Sequence, residues 1–237
     1  MQPIIKNIRT LLQQSADSSP ENVARFFKVG PGSYSEHDQF MGIKVATLRK
    51  IAKGFLHLNL DEIEQILKSP FNEERLFALI VLTHQYAAAP VNVREDIYHF
   101  YVKNRHAINN WNLVDSSAHL IVGAHLFDKD RTYLMELARS SHMWDRRISI
   151  VSTWYFIRQN DLAWTFELAK VLLKDSHDLI HKSVGWMLRE AGKKDQPQLV
   201  DFLNHFAPKM PRTMLRYAIE KFPKEQQQLY LKGMAKI

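Results

Sequence analysis

An indole and a carboxylate stand four residues apart in the segment INNWNLVDSSAHLIVGAHLF, residues 108–127. On a helix, Trp111 and Asp115 would lie on one face, one turn apart. Such a pair could flank a single ligand, the ring by packing and the carboxylate by its charge. An alternative interpretation makes Trp111 a core residue and Asp115 the N-cap of the next helix, because aspartate before two serines favours capping. The pair alone leaves both interpretations open.

Two adjacent arginines follow another tryptophan in SSHMWDRRISIVSTWYFI, residues 140–157. Adjacent side chains on a helix point about 100° apart. Only one of Arg146 and Arg147 can therefore easily face a given cleft. Ordinary surface arginines are the alternative interpretation.

A stripe of one aromatic and three basic side chains is predicted on the helix at residues 181–194, formed by Lys182, Trp186, Arg189 and Lys193. The apolar residues of this segment fall on another face, which leaves the tryptophan partly outward. An outward indole among cations suits a nucleic acid, where the ring packs on a sugar or base and the cations contact phosphates. The alternative is a tryptophan half-buried between two helices. Arg212 and Arg216, spaced i, i+4, are further candidates for phosphate contacts.

The excess of positive over negative charge lies entirely in the second half of the chain. Residues 1–128 contain 13 basic and 13 acidic residues, whereas residues 129–237 contain 19 and 12, which accounts for the net charge of +7. A basic half indicates a polyanionic partner, because neutralised phosphates release condensed counterions. A charged surface that only serves solubility is the alternative.

Several classes of site are excluded or disfavoured by composition. The chain has no cysteine, which excludes disulfides, thiolate zinc sites and cysteine nucleophiles. Its eleven histidines show no metal-ligand spacing, so we expect no metal. The first residues do not resemble a signal peptide, and no uncharged apolar run is long enough to span a membrane. We therefore expect a cytoplasmic protein with no membrane segment.

The periodicity of apolar residues predicts helices almost everywhere, about a dozen in all. Start signals occur at Ser19, Ser69 and Asp195, and the turn-rich residues 30–42 interrupt the pattern before a helical run from residue 44. From there, helices pair with a spacing of roughly 35–40 residues, which is typical of HEAT-like repeats. We expect an α-α superhelix with a concave inner face, built as one domain over residues 1–237.

Four segments occur in an order that identifies a family: FMGIKVATLRKIAK, NNWNLVD, WDRRISIVSTWYFI and VGWMLREAGKK. Over nearly its whole length, the chain resembles the AlkD-like DNA alkylation repair glycosylases. The resemblance implies an all-α stack of HEAT-like repeats whose concave face binds duplex DNA. Nothing in the sequence indicates an obligate oligomer, so we expect a monomer.

Carried over position by position, the resemblance implies that Asp115 is the catalytic aspartate and that Trp111 and Trp186 are the two cleft tryptophans. The functional arginine falls on Arg147, the second of the pair. The remaining basic candidates are assigned to DNA binding, namely Arg146, Lys182, Arg189, Lys193, Arg212 and Arg216. Asn112 is a departure, since some relatives have an acid beside the tryptophan. That difference bears on fine specificity more than on activity.

The implied reaction is hydrolysis of the N-glycosidic bond of a cationic alkylated purine, of the N3-methyladenine or N7-methylguanine type, in duplex DNA. The base already carries a positive charge and leaves without a general acid. The carboxylate of Asp115 would stabilise the oxocarbenium-like sugar, with no metal or organic cofactor. The resemblance also implies that the lesion need not be flipped out of the duplex.

Two other functions fit part of the sequence. One is a catalytically inactive HEAT-like protein that binds DNA of unusual shape. The other is a helical-repeat scaffold for a protein partner, a common use of α-solenoids. A scaffold would bind its partner with little dependence on salt, whereas phosphate contacts weaken steeply as salt rises.

Overall fold

The computed structural model describes residues 3–233, and their regular structure is helical apart from one isolated parallel bridge between Gln39 and Phe71. The prediction of an all-α fold is confirmed. The α-helices are α1 (Pro3–Gln14), α2 (Pro20–Ala24), α3 (Val45–Ala52), α4 (Leu60–Leu67), α5 (Asn72–Ala88), α6 (Val91–Lys103), α7 (Trp111–Ala118), α8 (Ala124–Leu126), α9 (Thr132–Ala138), α10 (Met143–Arg158), α11 (Ala163–Leu172), α12 (Asp178–Gly192), α13 (Gln196–Phe206), α14 (Arg212–Ala218) and α15 (Lys224–Lys232).

Two of the three predicted start signals cap their helices directly. The Ser19 hydroxyl accepts a hydrogen bond from the Asn22 amide (3.2 Å), and Asp195 accepts one from the Gln198 amide (2.9 Å). Ser69 lies farther from its helix, because α5 begins at Asn72 and the Ser69 hydroxyl accepts from the Phe71 amide instead (3.1 Å). The predicted interruption at residues 30–42 is confirmed as irregular structure before α3.

The chain divides into two compact units, Met1–Ser117 and Ala118–Ile237. In the first unit, α5 packs against α3, α4 and α6. Every residue from Leu76 to Leu82 on α5 is buried, as expected of a helix surrounded on all sides. The boundary between the units falls near the end of α7. The single cooperative domain expected from the sequence stays a prediction.

The turn-rich segment is held onto α5 by a buried acid. One carboxylate oxygen of Glu73, Oε1, accepts hydrogen bonds from the amides of Met41 (3.0 Å), Gly42 (3.0 Å) and Ile43 (3.4 Å). Gly42 has a φ of 85°, a left-handed conformation that favours glycine. These contacts fix the backbone that leads into α3.

In the second unit, α10 is the central helix and packs against α9, α11, α12 and the π-helical turn His119–Gly123. The last helices of the unit are joined through α12, which packs against α13 and α14. Gly185 lies where α12 meets α14. A Cβ at this position would collide with the carbonyl oxygen of Met214 and with the Cβ of Tyr217.

We expect Gly185→Ala to lower the free energy of unfolding by about 2 kcal/mol, because the backbone of α14 must move and the helix propensity of alanine offsets only part of the cost. Thermal unfolding would show a decrease in Tm of roughly 4–8 °C. Gly54→Ala is the matched control, since a Cβ at Gly54 would meet nothing within 4 Å. Equal Tm values for the two variants would contradict the close packing of α12 and α14.

Candidate functional site

Asn110, not Asp115, immediately precedes the first turn of α7, which begins at Trp111. The Asn110 carbonyl accepts hydrogen bonds from the amides of Leu113 (3.2 Å) and Val114 (3.1 Å), and its side-chain oxygen accepts from the Trp111 amide (2.7 Å). Asp115 therefore lies inside the helix, one turn after Trp111, and is half-buried. The alternative interpretation of Asp115 as an N-cap is wrong.

The indole of Trp111 is held in a stack of aromatic rings. Phe27 lies against it with a centroid distance of 5.1 Å and an interplanar angle of 22°, and Phe40 stacks on Phe27 at 4.7 Å and 29°. Trp111 is half-buried, so the interpretation as a core residue does not describe the whole side chain. Phe27 and Phe40 fix one side of the ring and leave part of it accessible to a ligand.

Trp186 also stands beside other rings. Its indole meets Trp154 of α10 edge-on, with a centroid distance of 4.9 Å and an interplanar angle of 62°. Trp154 in turn packs against His119 at 4.4 Å and lies beneath the guanidinium of Arg158, whose Cζ is 5.5 Å from the ring centroid. Trp186 is half-buried, which fits both the ligand-facing interpretation and a place between two helices.

The two adjacent arginines of α10 both bind residues near the start of α12. Arg147 is 5% exposed, and its Nη1 donates to the carbonyl oxygen of Leu179 at 2.5 Å. Arg146 forms an ion pair with Asp175, with Nε 2.6 Å from Oδ2. A direct phosphate contact would require either side chain to leave these partners. Their assignment to the site stays a prediction.

The cations of the predicted stripe on α12 are paired with acids. Lys182 binds Asp178 (2.7 Å), and Lys193 binds Glu190 (2.8 Å). Arg189 pairs with Glu220 and lies 3.5 Å from Glu190. These ion pairs are partly exposed, so each is weak and each cation can exchange its acid for a phosphate.

Arg212 and Arg216 lie on α14, and both are exposed. Trp111 and Asp115 belong to the first unit, whereas Arg147 and Trp186 belong to the second. Whether these four side chains line one groove stays a prediction, as does the role of each in DNA binding or catalysis.

The N-cap of α12 is sensitive to pH. The Nδ1 of His177 accepts a hydrogen bond from the Leu179 amide (3.1 Å), which requires this nitrogen to be unprotonated. Burial lowers the pKa of His177 below its ordinary value of 6.5, although the charge of Asp175 opposes this. The stabilisation from this cap is therefore complete above pH 6.5 and is lost as the pH falls from there through the lowered pKa of His177.

His177→Asn is expected to remove this pH dependence, because asparagine caps a helix without titrating near neutrality. Between pH 7.5 and 5.5, the parent should lose about 2–4 °C more in Tm than the variant, which corresponds to one helix cap. Thermal unfolding at both pH values measures the difference. Equal losses would show that His177 does not contribute.

Sequence reasoning missed the side chains that hold α7 in place. Asp38, in the turn-rich segment, accepts hydrogen bonds from Asn110 (2.6 Å) and Asn72 (3.1 Å). The two asparagines before Trp111 were a signal for a helix start. Nothing in the sequence could indicate that Asp38 lies beside Asn72 and Asn110, which are 34 and 72 residues away from it along the chain.

Within residues 3–233, no group of three or more acidic or histidine side chains is arranged to hold a metal ion. Over the same range, no helix has the length and apolarity that crossing a bilayer requires.

Comparison with known proteins supplies the family. A family model described as DNA alkylation repair enzyme matches residues 8–222. Among solved structures, the chain is similar to a protein described as a predicted DNA alkylation repair enzyme from Enterococcus faecalis. The two share 12% identity with a TM-score of 0.64, over 86% of this chain and 95% of that one, which shows a common fold. No curated protein matches the chain. Because the family model spans most of its length, the chain belongs to the DNA alkylation repair enzyme family.

Proposed function

We propose that this protein is a DNA glycosylase that releases cationic alkylated purines from duplex DNA. The observation that carries the proposal is the placement of Asp115 inside α7, half-buried and one turn from Trp111. Membership of the DNA alkylation repair family supports the substrate class. The finer assignment to N3-methyladenine and N7-methylguanine rests on their chemistry.

The chemistry suits a site whose main contribution is one negative charge. In an N3- or N7-alkylated purine, the bond from C1′ to the base breaks with its electron pair going to the base, which becomes neutral. The positive charge passes to the sugar. Water then adds to C1′, and its proton is lost to the carboxylate or to solvent. No general acid is needed for the leaving base.

Asp115 would stabilise the sugar as that charge develops. At a separation of about 4 Å and an effective dielectric near 20, two opposite unit charges attract by roughly 4 kcal/mol. Such a contribution corresponds to about a thousandfold in rate. The carboxylate lies on a rigid helix, so little reorganisation is required when the bond breaks.

The two candidate cleft tryptophans would contact the sugar of the lesion. An indole near the developing cation contributes on the order of 0.5–2 kcal/mol. Phe27 on one side of Trp111 and Trp154 beside Trp186 restrict the orientation of each ring. Engaging the sugar and backbone in this way would leave the base in the duplex, without flipping.

The direct test is release of free base from a duplex with one 7-methylguanine, measured by mass spectrometry under single-turnover conditions. We expect release from the methylated duplex and none from the unmodified duplex of the same sequence. Tight binding of the methylated duplex without release would instead indicate the catalytically inactive DNA-binding protein. Duplex affinity that does not change with salt concentration would argue against phosphate contacts and favour the protein scaffold.

A further inference from the structure

Asp38 is a buried carboxylate in a segment that otherwise has the composition of a surface loop. Its side chain is only 4% exposed and forms an ion pair with Arg75, which is 8% exposed. It also accepts hydrogen bonds from the side-chain amides of Asn110 (2.6 Å) and Asn72 (3.1 Å). A buried charge persists only where such partners compensate its desolvation. Asp38 is thus the hub of a polar network inside the first unit.

One branch of this network ends on the backbone of α7. The amide nitrogen of Asn110 donates to Asp38 and to the Ser35 hydroxyl, both at 2.6 Å. Its amide oxygen accepts from the Trp111 backbone N–H at 2.7 Å. Asn110 is completely buried, and both hydrogens of its amide are used. The first residue of α7 is therefore tied to Asp38 through a single side chain.

A second branch ends on the next residue of the helix. The Asn112 amide donates to Asn72 at 2.7 Å, and the Asn72 amide reaches back to the Asn112 oxygen at 3.4 Å. Because this exchange needs a donor at position 112, a carboxylate there would lose the shorter bond. The contact between Asn72 and Asn112 therefore depends on an amide at position 112.

Two ties on successive residues restrict rotation of α7 about its own axis. A side chain on a helix ends about 6 Å from the axis, so a rotation of about 10° moves it by about 1 Å. A displacement of this size can cost about a hundredfold in rate when the group must act on a reacting centre. The orientation of Asp115 thus depends on the network that holds the first turn.

We propose that Asp38 is a positioning residue for the proposed glycosylase site, acting through Asn110 and Asn112 to set the direction in which α7 presents Trp111 and Asp115. The inference rests on the proposed function. It assigns to the turn-rich segment a role in the reaction that requires no contact with DNA.

Asp38→Ala should lower the single-turnover rate constant for release of 7-methylguanine about ten- to a hundredfold, while the Kd for the methylated duplex stays within about twofold. Glu73→Gln is the matched control. Glu73 is also buried and also ties the turn-rich segment to α5, and within residues 3–233 its hydrogen bonds go to the amides of Met41, Gly42 and Ile43 rather than to α7. Its rate constant should remain near that of the parent even if its Tm falls.

Asn110→Gly provides a second variant, because Asp38→Ala leaves Arg75 without its carboxylate and could fail to fold. Glycine remains acceptable at an N-cap, and the ion pair between Asp38 and Arg75 is kept. The same decrease in rate is expected. Parent-like rate constants in Asn110→Gly, or a decrease no larger than that of Glu73→Gln at matched loss of Tm, would overturn the inference.

An NMR measurement separates this inference from the proposed function. The indole N–H signal of Trp111, assigned with Trp111→Phe, should shift or broaden in Asn110→Gly, whereas that of Trp164 should not. If the parent released no base, the proposed function would fail and the indole signal would still report on the orientation of α7. An unchanged Trp111 signal would overturn the positioning role.

Discussion

Asp115→Asn is expected to lower the single-turnover rate constant for release of 7-methylguanine by about a thousandfold, the value of one carboxylate about 4 Å from an oxocarbenium-like sugar. Asparagine has nearly the same shape, so the structure of α7 and the affinity for DNA should change little. The rate constant is measured with enzyme in excess over duplex, so that binding does not limit it.

Asp96→Asn is the matched control for this change. Asp96 lies on α6 in the same unit and is exposed, so its replacement removes the same charge from a residue outside the proposed site. Its rate constant should equal that of the parent. If Asp115→Asn released the base as fast as Asp96→Asn, the assignment of Asp115 would be wrong.

The second large effect is on DNA affinity. If Lys182, Lys193, Arg212 and Arg216 each neutralise one phosphate, the logarithm of the association constant should fall with the logarithm of salt with a slope of about −3.6. Raising the salt from 50 to 200 mM would then weaken binding about 150-fold. Fluorescence anisotropy with a labelled duplex measures both values.

Replacing both exposed arginines of α14 with alanine should make the slope less steep by about 2. The control removes two exposed lysines of the first unit, Lys68 and Lys103, which lie beside Glu64. That variant should keep the slope of the parent. A parent slope near zero would rule out phosphate contacts and favour the scaffold.

The fold class could be predicted because helical patterns dominate the chain. Apolar spacing indicated helices such as α4 and α5, and the residues at Ser19 and Asp195 marked two of their beginnings. The start of α7 was uncertain because the sequence allowed Asp115 either to cap a helix or to lie within one beside Trp111. In the structure the helix follows Asn110, and Asp115 lies within it.

One ion pair of α12 could also be predicted from residue spacing. Asp178 and Lys182 are four residues apart, a spacing at which opposite charges pair on a helix. The pair formed by Arg189 and Glu220 joins residues far apart in sequence and could not be predicted from spacing. This ion pair depends on the packing of α12 against α14, which brings Arg189 close to Glu220.

The support of the proposed site was the least predictable feature. Asp38 stands among turn-forming residues, where an acid is ordinarily solvated. Its burial depends on Arg75 and Asn110, which come from different helices or their ends. Sequence motifs identify candidates for chemistry, such as Trp111 and Asp115, more readily than the buried polar contacts that orient them.

Stabilisation of a cationic sugar by Asp115 can be measured most directly through binding of a charged sugar mimic. A duplex containing a pyrrolidine nucleotide, whose ring nitrogen is protonated at neutral pH, is compared with the same duplex containing an uncharged tetrahydrofuran nucleotide. We expect the parent to prefer the charged duplex by up to about a thousandfold, and Asp115→Asn to lose most of that preference. Equal affinity of the parent for the two duplexes, or a preference that survives in Asp115→Asn, would contradict the stabilising role of Asp115.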